Sequence, residues 1–368
     1  MRTDILTTFR KWLHIEDEDS LDIIIASALG SLCPGDPLWT LVIAPPGGGK
    51  TEVVRALNGP HVYPLDTITS KTLVSGLREK GKKETYGILP DLDGKLLVIK
   101  DLTVMLQQSA ARGDETVFAQ LRSAYDGEYS AAHGSGHKLQ HYKATFGIVA
   151  AVTPIVDRYR ALNSSLGERF ISVRIEQNPT ASIRKAQENS GREAIMRAEL
   201  QDIMLRCLEH YDGIINSLGI PVLPDAEMEK IRDLGDVTAK LRTEVERDRF
   251  RNVAVSPGLE VGTRLVKQLT RLGEMLRLYE AYDYRKVTRV ARDSMSSIRL
   301  SVAKAIYNSM KVSPRDIHKK CQLNYSTVRE DCEDLWMMGL CDREEKGNSA
   351  MYSFKPEVMD LVISSELF

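Results

Sequence analysis

The sequence predicts an α/β protein: a mostly parallel sheet covered by helices, then a helical region, then a small C-terminal domain of helices and a hairpin. Three observations carry this. Short apolar runs rich in β-formers, at 38–43, 61–65, 96–99 and 145–152, alternate with helical stretches. Strands that alternate with helices give a parallel sheet with both faces covered. Past Ile175 the chain becomes strongly helical and charged, and from about residue 301 it reads helix, turn, helix and two short strands.

Each element has its own justification. Residues 1–34 read as two helices, one with Phe9, Trp12 and Leu13 on its apolar face, the other apolar from Ile23 to Leu32. Pro34-Gly35-Asp36-Pro37 is a turn, and Leu38 to Ile43 is short, apolar and β-prone, which reads as a buried strand. The runs at 61–65, 96–99 and 145–152 read as further buried strands, with a helix at 115–125 among the intervening segments. Residues 181–210 read as helix, 211–224 as a linker bearing Gly213, Gly219, Pro221 and Pro224, and 225–300 as helix with a break at Ser256-Pro257-Gly258. The expected domains are 1–180, 181–300 and 301–368.

Composition narrows the function. At roughly 150 residues per domain, 368 residues suggest two or three domains. With 50 Lys plus Arg against 51 Asp plus Glu, the formal charge is −1, so any nucleic-acid contact must come from local patches. Five cysteines at scattered positions argue for reduced thiols and a cytoplasmic protein. No apolar run approaches the roughly 18 residues of a membrane span, and the N-terminus lacks the apolar stretch of a signal peptide.

The strongest motif is Pro46-Gly47-Gly48-Gly49-Lys50-Thr51, between the first strand and a helix from Glu52 to Leu57. Glycines let backbone N–H groups turn inward around a phosphate, and the helix N-terminus adds partial positive charge. Lys50 would reach the β- and γ-phosphates of ATP, and the Thr51 hydroxyl would ligate Mg²⁺. Pro46 to Glu52 are the expected nucleotide-binding residues. The first glycine of the usual loop pattern is replaced by Ala44, a position that lets the chain leave the strand and touches no phosphate. A nucleotide-hydrolysing site also needs an acid at the end of a second strand. The run 96–99 ends in Lys100-Asp101. Either Asp101 is the Mg²⁺-side carboxylate and a catalytic Glu is missing, or Asp101 stands at the Glu position with Lys100 where the metal-side Asp belongs. Counting from the apolar run favours the second. Nucleotide binding is thus better supported than fast hydrolysis.

The ordered motifs resemble an AAA+ ATPase of the branch with a β-hairpin before sensor 1, which includes the MCM and superfamily 3 helicases. Closer still, they resemble the helicase-like ATPases of phages and integrative mobile elements. Beyond the loop, the residues behind this are Lys95 to Thr103, Tyr125-Asp126-Gly127-Glu128, Ala150-Ala151-Val152-Thr153-Pro154, Leu166-Gly167-Glu168-Arg169-Phe170 and Gly262-Thr263-Arg264-Leu265. The resemblance spans about residues 30–300. It implies a P-loop AAA+ core with a helical lid. It also implies that Thr153 contacts the γ-phosphate or attacking water, that Arg169 reaches a neighbouring subunit's nucleotide, and that Arg264 contacts the γ-phosphate from the lid. An arginine finger needs a neighbour, so a ring, most often a hexamer, is implied too.

Between Asp126 and Thr145, small residues and glycines suit a hairpin tip, and four of the seven residues from His137 to Lys143 are His or Lys. The family places its pore hairpin here, so His137 and Lys138 are the expected DNA-backbone contacts. The last segment has the outline of a winged helix-turn-helix, with Tyr325, Ser326, Thr327 and Arg329 opening its second helix. Residues 301–368 carry 9 Lys plus Arg and 11 Asp plus Glu, a net of −2, so docking of a replication partner protein is as well supported there as DNA binding. His318, Cys321, Cys332 and Cys341 match no zinc spacing and read as structural thiols. The leading expectation is an ATP-driven DNA motor or helicase of a mobile element's replication system. The alternatives are an ATP-switched assembly or loading factor and, weaker, a DNA-binding regulator with a vestigial site.

Overall fold

A computed structural model describes the chain except residues 48, 75–86, 113–115, 133–138, 159–168, 246, 249–252, 254–257 and 347–348. The chain forms two compact units, residues 1–222 with 271–283, and residues 223–270 with 284–368.

The first unit is built on a five-stranded parallel sheet. Its strands are β1 (Trp39–Ile43), β2 (Val62–Leu65), β3 (Leu96–Ile99), β6 (Gly147–Val152) and β7 (Phe170–Arg174), in the order β2-β3-β6-β1-β7. Each of β1, β3 and β6 is buried along its whole length, as continuous apolar runs with both faces covered must be. The run at 61–65 departs from its expected burial. β2 is an edge strand, only partly covered, and it contains Pro64, whose missing N–H an edge tolerates.

Trp39 anchors the base of β1. Its indole donates to the Phe146 carbonyl at 2.7 Å, and its ring meets Tyr125 edge-on at 5.0 Å and lies 5.2 Å from Phe170. The chain also approaches closely at Gly147, where a Cβ would stand 2.7 Å from the Ser31 Cβ.

The expected N-terminal helices are present as Arg2–Trp12 and Glu18–Gly30. The second is almost wholly buried, and Asp17 caps it by accepting from the Ser20 amide at 3.1 Å. After β3 come helices Thr103–Arg112 and Thr116–Tyr125, then a separate antiparallel hairpin, β4 (Glu128–Ala132) with β5 (Leu139–Lys143). The pair Lys143–Glu128, at 2.9 Å, and the facing rings of Tyr129 and Tyr142 fix the base of this hairpin.

β7 leads into helices Pro179–Glu188 and Glu193–Leu218. The expected linker at 211–224 is thereby shortened. Tyr211 to Leu218 continue the long helix, burying Tyr211 and Ile215, and the break comes at Gly219, whose φ of 78° opens the turn. Gly213 sits within the helix because tertiary burial of that face outweighs its weak propensity, a cost of about 1 kcal/mol.

The second unit is mostly helical: Asp225–Arg242, Tyr284–Asp293, Ser297–Ser309, Pro314–Cys321, Tyr325–Met337 and Pro356–Ser364, with the hairpin β8 (Cys341–Lys346) and β9 (Ser349–Phe354). Ser313 accepts from the Asp316 amide at 3.2 Å and starts the helix at Pro314. Asn324 accepts from Ser326 at 2.9 Å and starts the next. Val312 and Tyr352 exchange backbone hydrogen bonds, which ties the entry of this segment to β9. Cys332 and Cys341 are buried, all five cysteines are free thiols, and among the described residues no group of three or more His, Cys, Asp or Glu could hold a metal ion. Among the described residues, no helix is long and apolar enough to cross a membrane.

Candidate nucleotide site

β1 lies inside the sheet, and its carboxyl end runs through Ala44 to Gly49 into helix Lys50–Ala56. Gly47 and Gly49 take φ of 77° and 65°, left-handed conformations in which a side chain is strained. A Cβ on Gly49 would also lie 3.3 Å from the Gln177 amide nitrogen. Gly48 lies outside the described residues. The Lys50 side chain is only 6% exposed, and its ammonium donates to the Pro45 carbonyl at 3.3 Å. Burial pushes the Lys50 pKa down, and the nearby Asp101 carboxylate opposes that shift. An ammonium has three donors. This one is poorly solvated and uses one of them on its own loop, which suits it to an incoming anion.

Strand register brings the other residues to the same edge. Ile43 pairs with Val152 and Ile99 with Ala150, so Asp101, two residues beyond Ile99, stands level with Val152. The ladder continues there, with the Leu102 amide donating to the Ala151 carbonyl at 2.8 Å. Asp101 Oδ1 accepts from the Thr103 amide at 2.8 Å, and the Thr153 amide donates to Thr103 Oγ1 at 3.0 Å. Lys100 turns the other way. Its amide donates to Leu65 at 3.0 Å and its ammonium to Asp66 at 2.8 Å, on the side of β2. Of the two polar residues after β3, Asp101 is the one whose charge Lys50 feels.

A cavity of about 320 Å³ opens beside the loop. Gly47, Gly49, Lys50, Thr51 and Glu52 form one wall. Trp12 to Ile15 form another, and Gln177, Ser182, Lys185, Asn189 and Met196 line the part that follows β7. Ser182 Oγ is a buried atom with no hydrogen-bond partner among the described residues, and His14 Nε2 lies 3.6 Å from the Glu16 carboxylate. Asn189 spends both amide hydrogens on the carbonyls of Trp12, at 2.8 Å, and Lys185, at 3.1 Å, which fixes the orientation of its side chain. Left-handed glycines, a buried lysine, a hydroxyl at the second helical position and the unpartnered Ser182 hydroxyl fit a phosphorylated ligand with a polar far end. Thr51, in the cavity wall, and Asp101, whose charge Lys50 feels, carry oxygens that could hold a Mg²⁺ ion keeping most of its water, and Asp101 could instead orient a water.

The remaining expected residues are placed as follows. Arg169, 13% exposed, donates to the Arg122 carbonyl at 3.2 Å, pairs with Asp126 at 3.4 Å and lies over the Tyr125 ring. It is held within its own chain in this conformation. Arg264 lies on the first turn of helix Thr263–Leu278, in the second unit. His137 and Lys138, and the segment Leu166-Gly167-Glu168, lie outside the described residues.

Sequence reasoning missed the walls that come from 12–15 and 177–196. Nothing local marks them, because these residues meet the loop only through contacts more than 30 positions away along the chain. It also missed Arg197, which holds Glu52 from the long helix with Nε–Oε2 at 3.0 Å and Nη2–Oε1 at 2.9 Å. Compared with known proteins, the chain matches no family model and no curated protein.

Proposed function

We propose that this chain is an AAA+-type ATPase that binds Mg²⁺·ATP at the glycine–lysine loop and drives DNA movement in the replication system of a phage or mobile element, acting as a ring. The observation that carries the reading is the strand order β2-β3-β6-β1-β7, with the loop on the tip of β1, Thr153 on the tip of the adjacent β6 and Asp101 on the tip of β3 beyond it. The hairpin β4-β5 between helix Thr116–Tyr125 and β6 supports it further, since a hairpin at that point in the order is what a pore element requires.

In this reading the loop amides and Lys50 hold the phosphate tail. Thr51 would help hold Mg²⁺, which would supply positive charge against the transferred phosphoryl group. Asp101 orients the attacking water, and Thr153 contacts the terminal phosphate. Arg169 would serve a neighbouring subunit only by exchanging Asp126 for that subunit's phosphate. The helix pair 314–337 with its hairpin is proposed as a winged helix. The test is ATP hydrolysis with and without single-stranded DNA. Wild type is expected to turn over faster with DNA, and Lys50→Ala to lose both binding and turnover. Wild-type protein that binds ATP but hydrolyses none under either condition would overturn the motor reading.

A second reading, an ATP-switched assembly or loading factor, is favoured by one observation. Lys100 stands beside Asp101 and pairs with Asp66, leaving one carboxylate at the strand end. ATP-dependent oligomerisation in light scattering, without strand separation in an unwinding assay, would select it.

A further inference from the structure

Glu52 follows Thr51 directly and lines the cavity that takes the phosphates in the proposed function. Its carboxylate is 21% exposed, so an anionic ligand in that cavity would meet a partly desolvated negative charge next to the residue that faces the metal. The chain answers with a cation from 145 residues away. Arg197, on the second turn of helix Glu193–Leu218, grips both carboxylate oxygens with a two-pronged bond, and Arg55 adds a looser contact at 3.6 Å. Planar, two-point recognition of a carboxylate is what the guanidinium does best. The other carboxylate on the cavity wall, Glu193, accepts from the Gly191 amide at 3.1 Å at the start of its own helix.

We infer that Arg197 is a specificity-determining residue of the nucleotide site. By cancelling the Glu52 charge it lets the cavity accept a polyanion, and it sets how strongly the site prefers a triphosphate over ligands of lower charge. This inference rests on the nucleotide-binding reading, and it goes beyond that reading in assigning the long helix an electrostatic part in the site.

A charge role and a packing role predict opposite signs. If the pair only staples the helix Lys50–Ala56 to the long helix, removing either partner loosens the loop and weakens binding. If the charge is what matters, Arg197→Ala leaves Glu52 only the looser Arg55 contact and weakens binding, while Glu52→Gln leaves Arg197 and Arg55 beside the cavity without their shared carboxylate and strengthens it. One unit charge about 10 Å from the phosphates, in a medium of effective dielectric constant about 80 because the Arg197 side chain is 41% exposed, acts on three or four phosphate charges and is worth on the order of tenfold in affinity.

The experiment is calorimetric titration of the full chain with ATP, ADP and AMP in EDTA at low salt. Arg197→Ala is expected to bind ATP about tenfold more weakly, with the loss shrinking from ATP to ADP to AMP and fading at high ionic strength. Glu52→Gln is expected to bind ATP several-fold more tightly, and the double variant to fall between the two. Weaker binding by both single variants, or a loss equal for the three nucleotides, would overturn the inference in favour of packing. If wild type binds no nucleotide at all, the site reading itself fails. If wild type binds, Lys50→Ala does not, and Arg197→Ala matches wild type, only this inference fails.

Discussion

Arg299 is 0% exposed at the centre of the second unit, and its removal makes a sharp test of how that unit is held together. Its guanidinium reaches Asp331 at 3.2 Å, Asp334 at 3.4 Å and Glu244 at 3.7 Å, and also the carbonyls of Leu241 and Thr243. Arg247 pairs with Asp334 from the other side. The cluster therefore joins the end of helix Asp225–Arg242 to helices Ser297–Ser309 and Tyr325–Met337. In Arg299→Ala, Asp334 keeps Arg247, while Asp331, 1% exposed, loses the guanidinium that lies 3.2 Å from it. Removing one partner of a buried pair costs about 3–5 kcal/mol.

Urea denaturation followed by circular dichroism measures the deficit, and hydrogen exchange on peptides covering 297–309 and 325–337 assigns the loss to this unit. Pairing Arg299→Met with Asp331→Leu should recover part of the loss, because the apolar pair leaves no charge at 331 while Asp334 keeps Arg247. A deficit below about 1 kcal/mol would refute the account of a dry, mutually dependent cluster.

Other predictions follow from close packing and buried thiols. A Cβ at Gly235 would stand 2.5 Å from Val266 Cγ2 and 3.0 Å from the Val266 backbone, so Gly235→Ala should destabilise by about 1–3 kcal/mol in denaturation although alanine is the better helix former by about 1 kcal/mol. Burial pushes the Cys207 and Cys341 thiols up to about 12 from an ordinary value of 9.0. The folded state then holds protons that the unfolded chain gives up above pH 9. The stabilisation these thiols contribute is complete below pH 9 and is lost as pH rises toward 12, which thermal melts across that window will show. The same burial should leave Cys207, Cys332 and Cys341 unlabelled by a thiol reagent in native protein, while the partly exposed Cys321 reacts.

What the sequence made legible, and what it hid, divides by range. The strands β1, β3 and β6 were readable because continuous apolar runs bounded by turns have few other uses, and the loop because its glycines and lysine lie side by side. The edge position of β2 was not, since Pro64 alone had to signal it. Nor was the extent of the long helix, where glycines suggested a linker and burial of Tyr211 and Ile215 prevailed. The acidic run at 330–334 misled most. Counted as charge it makes helix Tyr325–Met337 look hostile to DNA, yet Asp331 and Asp334 face inward onto Arg299 and Arg247, so two of its four acids are spent inside the unit. Charge counted along a chain carries no information on which side of a helix it lies.

The same limit applies to Lys100-Asp101, where counting residues leaves two roles open and geometry narrows them. Lys100 is drawn to Asp66, on the β2 side. Asp101 is the carboxylate that Lys50 senses, and one of its oxygens already caps the turn through the Thr103 amide at 2.8 Å. Asp101→Asn is the perturbation that separates these duties. An asparagine side chain keeps an oxygen to accept from Thr103, so the fold and the level of Asp101 beside Val152 should survive, with stability within about 1 kcal/mol of wild type. The charge and the capacity to take a proton are lost. If Asp101 activates water in the proposed ATPase, turnover should fall by about 10²–10⁴-fold. ATP affinity should hold or rise, because a negative charge has left the neighbourhood of the phosphates. Steady-state hydrolysis and calorimetric binding on the same preparation read both quantities. Turnover retained within a few-fold would show that Asp101 is a structural cap and that no carboxylate on β3 serves the chemistry, which would move the weight of the argument to the ATP-switched reading.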